Sequence, residues 1–254
     1  MNDETRMTNE APPPQVKERP ILFSAEMIRA LRTGRKTQTR RVCKHLEWID
    51  TGGAVYMGKP VENYWRFKEK TGSFPFEAER HMAYLLTFCP YGQPGDRLWV
   101  RETTCIAPKR FATPDDTCRK DYDGDWRYVS YKADGHSEDA MRDYGLKWTP
   151  SIHVPRWASR LTLEVTGVRV ERLQDISEAD AVAEGIEVLD APGSLYRHYG
   201  EPFAESTSDD PRSGMVFSAK DSYQTLWESI NGPGSWELNP WVWVVEFKVG
   251  GGAQ

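Results

Sequence analysis

The chain has 254 residues, a formal net charge of -5, 39% hydrophobic and 28% charged residues, and a mean hydropathy of -0.67. That length can bury a substantial core in one large domain or two small ones, and no apolar run approaches the ~18 residues of a membrane span. The N-terminus lacks the apolar core of a signal peptide, so the expected location is the cytoplasm.

Residues 1–18 are polar, contain Pro12-Pro13-Pro14 and show no periodicity, the composition of a disordered tail. Ile21, Leu22 and Phe23 predict a first strand. A short helix follows, with Ser24 as N-cap, Glu26 in the first turn where the helix dipole favours an acid, and Met27, Ile28 and Leu31 on one face. Gly34 ends it, since glycine takes the left-handed position after a helix without a Cβ penalty. Between Glu26 and Glu47 stand Arg29, Arg32, Arg35, Lys36, Arg40, Arg41 and Lys44 with no intervening acid. A cationic surface on an acidic chain predicts an anionic ligand at one site. Side chains alternate along a strand, so Lys36 and Thr39 act together only if the backbone near Lys36 or Gln38 is still turning.

Residues 45–90 hold aromatics without clean spacing. Pro94-Gly95-Asp96 is a turn signal before a half-buried strand in which Leu98 and Val100 alternate with Trp99 and Arg101. Residues 107–126 read as a surface loop and Val129–Ala133 as a short strand. The clearest strand alternates Leu161, Leu163 and Val165 with Thr162, Glu164 and Thr166, and Gly167 permits a bulge before Val168 and Val170. Ser177 caps a helix that Gly185 ends, with Asp180 at the third position. After a loop-like stretch at 190–214, Tyr223, Leu226, Trp227 and Ile230 take the spacing of a buried helical face, stopped by Asn231-Gly232. A last strand puts Trp241, Trp243, Val245, Phe247 and Val249 on one face. Short strands, few helices and no regular βα alternation predict a mainly β fold with α elements, closed as a barrel. Cys43, Cys89, Cys105 and Cys118 lack any Cys-x-x-Cys pair and read as free thiols. A zinc site combining some of them with His45, His81 or His153 lacks the paired spacing such sites show.

Two residues could carry chemistry. Lys36 stands among cations, and like-charge repulsion with partial burial pushes its amine towards the neutral form that can take a proton from the Thr39 hydroxyl. The alternative is that Lys36 and the arginines only hold phosphate. Glu184 lies in the last turn of its helix, where the dipole raises a carboxyl's pKa and suits it to proton donation; a solvated surface role is equally open. Trp99, Trp148 and Trp157 are candidates for base stacking, with Arg156 and Arg160 beside Trp157, whereas Trp227, Trp241 and Trp243 sit at core spacings.

The pattern Gly34, Lys36, Thr39, Arg41 resembles the signature of ASCH domains, small β-barrels of the PUA-like superfamily. Pro94-Gly95-Asp96, the helix from Ile176 to Gly185 and the closing Val245-Glu246-Phe247 follow in the family's order. The stretch from Cys89 to Glu102 resembles the enlarged ASCH proteins of tailed phages and prophages, which implies a host cytoplasm. The resemblance implies one domain over 19–250, with insertions at about 45–90, 107–150 and 190–214. Some small ASCH proteins remove the acetyl group from N4-acetylcytidine. By motif, Lys36 would be the general base, Thr39 the nucleophile, and Glu184, aligned through Ile176-Ser177-Glu178, the donor to the departing amine. Arg41 would orient the substrate or neutralise an oxyanion, and no metal or organic cofactor is implied. Arg35, Arg40, Arg41, Trp99, Arg101 and Trp157 are the expected contacts to a nucleoside, nucleotide or single-stranded nucleic acid. The insertions depart from the small amidohydrolases. A non-catalytic RNA- or DNA-binding module, or a nuclease using the same cations, are the alternatives.

Overall fold

A computed structural model describes residues 15–44, 46–49, 55–56, 59–60, 64–69, 72–76, 86–107, 118–135, 138–143, 145–189, 195–199 and 215–250. Among these residues the chain is mixed α and β, mostly sheet. The central sheet has five strands, β1 (Glu18–Leu22), β2 (Gln38–Val42), β3 (Arg97–Arg101), β4 (Thr162–Arg172) and β5 (Trp241–Val249), in the order β1-β3-β4-β5-β2. β1 runs parallel to β3 and the other neighbours are antiparallel. Three helices matter for the site: α1 (Ala25–Arg32), α2 (Glu178–Ala183) and α3 (Ala219–Asn231).

Alternation along β5 explains the layers. Trp243, Val245 and Phe247 pack on one face with Leu98, Val100, Leu163, Val165 and Phe23, and with Ile28 and Leu31 of α1. Val242 and Val244 pack on the other face with Leu173, Ile176, Tyr223 and Leu226. Buried on both sides, β5 reads as a nearly continuous apolar run. Trp243 is 1% exposed, and its replacement by alanine would cost about 3–5 kcal/mol.

The expected barrel is not closed by the described strands, because β1 and β2 remain edges. The connection between them is α1 and a side chain: Arg41 Nη2 donates to the Leu22 carbonyl at 2.6 Å, where a closed barrel would have a backbone ladder. The predicted bulge is present, with the β4–β5 register shifting between Val165 and Gly167. A Cβ at Gly167 would lie 2.6 Å from Glu246 Oε2, so glycine makes room for that carboxylate.

Other expectations need correction. Of the disordered tail expected over residues 1–18, 1–14 lie outside the described residues, and the end is corrected: Glu18 pairs with Arg97 in β1. The expected loop at 107–126 begins at the end of a strand and contains another: Cys118–Lys120, Trp126–Tyr131 and Thr104–Ala107 form a sheet of their own. Its acid-rich look comes from the turn, where the Asp121 carboxylate accepts from the Asp123 and Asp125 amides and from Arg127 Nε. The 45–90 segment contains a further sheet of Leu46–Ile49, Tyr64–Glu69 and Gly72–Phe76. Most of the loop expected at 190–214 lies outside the described residues. Ile230, expected in the core, is 52% exposed. No helix among the described residues is long and apolar enough to cross a membrane.

Candidate functional site

Gly34, at φ 73°, turns the chain out of α1 as its position predicts. The following segment is wedged between three elements. The Lys36 amide donates to the Ala30 carbonyl at 3.0 Å, the Thr37 amide to the Ala183 carbonyl at 2.9 Å, and the Phe247 amide to the Thr37 carbonyl at 2.9 Å. The strand begins only at Gln38, so Lys36 stands in the turning segment, as joint action with Thr39 requires.

Lys36 crosses from this turn to the end of α2. Its Nζ donates to Glu184 Oε2 at 2.8 Å and to the Glu184 carbonyl at 2.7 Å. Gly185, at φ 90°, permits this approach, since a Cβ there would stand 2.8 Å from Lys36 Cβ. The other carboxylate oxygen of Glu184 accepts from Arg40 Nη1 at 3.2 Å. Arg40 also donates to Glu171 and to Asp180 Oδ2, and lies 5.9 Å from the Tyr223 ring centroid. Arg169 joins Glu171, Asp180 and Glu246 from the neighbouring strand position. The result is one chain of alternating charge from Lys36 to Glu246.

Burial drives the Lys36 pKa below the ordinary lysine value; Glu184 opposes this, and Arg41 and Arg40 add to it. Desolvation therefore leads, where the sequence had suggested like-charge repulsion first. The two acceptors on Glu184 match the two N–H donors of a neutral amine and leave its lone pair uncommitted. For Arg40, burial disfavours the charge, but Glu184, Tyr223 and Glu171 outweigh it and raise the pKa. Burial, then Glu184, hold the Tyr223 phenol well above its usual value.

Thr39, Arg41, Glu184 and Tyr223 line a small cavity of about 60 Å³, partly open to solvent, with Leu226 and Trp227 among its apolar walls. Thr39, Arg40 and Arg41, consecutive on the edge strand β2, all border this space. Lys36 stands behind Glu184 and does not line the cavity. Arg41 Nε is buried without a hydrogen-bond partner, and among the described residues no carboxylate pairs with the guanidinium, which lies 5.3 Å from the Phe23 ring centroid.

The other expected contacts lie elsewhere. Arg35 Nε donates to the Gly185 carbonyl at 3.2 Å and so braces the turn. Trp99 and Arg101 alternate with buried Leu98 and Val100 and face away from that core, where Arg101 and Arg156 lie 5.4 and 5.9 Å from the Trp99 ring centroid. Trp157 packs beside Val129, Tyr131, Val154 and Ala158. None of Trp99, Arg101 and Trp157 lines the cavity. Arg156 pairs with Glu18 at an exposed position, as a solvated cation does, whereas Arg160 is largely buried against Glu102 and Asp134.

Three of the seven cations of the basic stretch meet carboxylates among the described residues, and Arg29, Arg35 and Arg41 donate to backbone carbonyls. Arg32 meets Asp134, Lys36 meets Glu184, and Arg40 meets Glu171, Asp180 and Glu184. Those acids are too far away in sequence for any local window to count them. Sequence reasoning missed Tyr223, Leu226 and Trp227 as cavity walls, because a buried helical face looks the same whether it meets a core or a ligand. It also missed Asp180 and Glu171 as partners of Arg40; Arg169 and Glu171, alternating charges within a strand that is otherwise apolar on its core face, were the available signal. Among the described residues no group of three or more His, Cys, Asp or Glu is arranged to hold a metal, and the four cysteines are buried and form no disulfide. Compared with known proteins, the chain matches no protein-family model, no curated protein and no solved structure.

Proposed function

We propose that this cavity hydrolyses an amide bond on a modified pyrimidine nucleoside, in the manner of N4-acetylcytidine amidohydrolases. One observation carries the reading. Lys36 and Glu184, separated by 148 positions and singled out independently, meet at 2.8 Å beside a cavity that Thr39 lines. The resemblance of Gly34, Lys36, Thr39 and Arg41 to the ASCH signature supplies the chemistry, and with it the proposal that the open sheet is a decorated relative of the PUA-like barrel.

Thr39 Oγ attacks the acyl carbon, and its proton passes to neutral Lys36. Glu184 links that proton to the departing amine, so that the C–N bond breaks as nitrogen becomes neutral; the Lys36–Glu184 hydrogen bond joins the two roles. Water then releases the acyl group from Thr39. Arg41, which lines the cavity, holds the acyl oxygen. The apolar wall of Leu226 and Trp227 suits the face of a base.

Non-catalytic nucleic-acid binding and nuclease action are weaker readings, because both need cations facing phosphates, and Lys36 and Arg40 are engaged by buried carboxylates. The test is acetate release from N4-acetylcytidine by the wild-type protein, Thr39→Ala and Thr39→Ser. Turnover is expected to vanish in Thr39→Ala and to persist in part in Thr39→Ser, which keeps a hydroxyl. Equal turnover in Thr39→Ala would remove the nucleophile from the scheme.

A further inference from the structure

Tyr223 has no place in the motif, yet it shares the cavity with Thr39, Arg41 and Glu184. Its ring is fixed from behind by Trp227 and Trp236, each with a centroid 6.3 Å away, and carries the Arg40 guanidinium at 5.9 Å. A buried phenol ordinarily finds a hydrogen-bond partner. Arginine has donors only, so Arg40 cannot be the acceptor. Arg41 lines the same cavity, and among the described residues no carboxylate pairs with its guanidinium. Two donor-bearing side chains that line one cavity suit a single acceptor oxygen.

We infer that Tyr223 is a further catalytic residue, which donates a hydrogen bond, together with Arg41, to the acyl oxygen as it becomes an oxyanion. The inference rests on the hydrolytic reading of the cavity. When Thr39 Oγ bonds to the carbonyl carbon, the C=O π pair moves onto oxygen, where the Tyr223 O–H and the guanidinium meet it. Collapse re-forms C=O and expels the amine, which takes its proton from the Lys36–Glu184 side. Tyr223 keeps its own proton throughout. Burial and the neighbouring Glu184 hold the phenol neutral, the state a donor needs.

The experiment is steady-state acetate release from N4-acetylcytidine by wild type, Tyr223→Phe and Lys36→Ala. Phenylalanine keeps both ring contacts and removes only the hydroxyl, so the thermal midpoint should be unchanged. The expected result is a fall in kcat of about 100-fold with KM within about twofold, the signature of a lost oxyanion donor. Wild-type kcat in Tyr223→Phe beside an inactive Lys36→Ala would overturn the role of Tyr223 and leave the hydrolytic reading standing. A raised KM with unchanged kcat would overturn it too, by making Tyr223 a ground-state contact. No acetate from the wild-type protein would overturn both.

Discussion

Lys36 and Glu184 are each buried and each depends on the other. Removing Glu184 takes a buried carboxylate from both Lys36 and Arg40, and removing Lys36 leaves that carboxylate to Arg40 alone. Glu184→Gln should therefore lose about 3 kcal/mol in denaturant unfolding, whereas Lys36→Met combined with Glu184→Gln should lose less than the sum of the single changes. Additive losses would mean that the pair is not coupled. The lysine also sets a pH dependence. Its pKa is lowered on folding from the ordinary 10.5, so between the folded value and 10.5 the unfolded chain holds the extra proton and stability rises with pH. Wild-type stability relative to Lys36→Met should increase across that window, and a decrease would contradict desolvation as the dominant cause. At this scale Glu184 could be singled out because an acid in the last turn of a helix lacks a local reason. Its partners could not, because spatial proximity across 148 residues leaves no trace in a single sequence.

At the scale of elements, the site depends on two short turns that meet. Ser177 caps α2 through the Asp180 amide, Gln38 Nε2 donates to the Asp180 carbonyl, and the Ala183 carbonyl receives the Thr37 amide. Gly185 then turns the chain where the Lys36 stem passes. Gly185→Ala combines a positive φ with a Cβ 2.8 Å from Lys36 Cβ and 3.0 Å from Ala30 Cβ, and should cost about 2–4 kcal/mol. Gly34→Ala meets open space and should cost only the left-handed backbone penalty, about 1–2 kcal/mol. Equal effects in thermal unfolding would show that the close approach at Gly185 is not tight. Both glycines, the Ser24 and Ser177 caps and the Gly167 bulge were readable, since each is a local backbone requirement with few residues able to meet it. The hairpin around Asp121 was misread because its acids serve the turn and conceal short flanking strands. Closure of the sheet was not readable at all: strand patterns fix which face is buried, and edge pairing depends on contacts between β1 and β2 that α1 replaces.

For the whole molecule, the run of basic residues is a folding device more than a binding surface. Arg32 ties α1 to Asp134, which also receives Arg160 from beyond the small sheet, and Arg160 is paired with buried Glu102. Arg40 ties β2 to β4 and α2 through Glu171, Asp180 and Glu184. The cavity is lined by Arg41, by the paired Arg40 and Glu184, and by Thr39 and Tyr223 against an apolar wall, a setting suited to a small substrate more than to a run of phosphates. A site of this kind should turn over a free nucleoside with little dependence on salt, unlike a groove that binds by neutralising phosphates. The measurement that bears most directly on this is the rate of acetate release from N4-acetylcytidine by wild type and Lys36→Ala, followed against pH at two salt concentrations. The expected result is a wild-type rate that rises with pH as Lys36 loses its proton and changes little with salt, and a folded Lys36→Ala whose rate is lower by about 10²–10⁴-fold. A folded wild-type protein that releases no acetate, or a Lys36→Ala variant that matches it, would contradict the proposed chemistry.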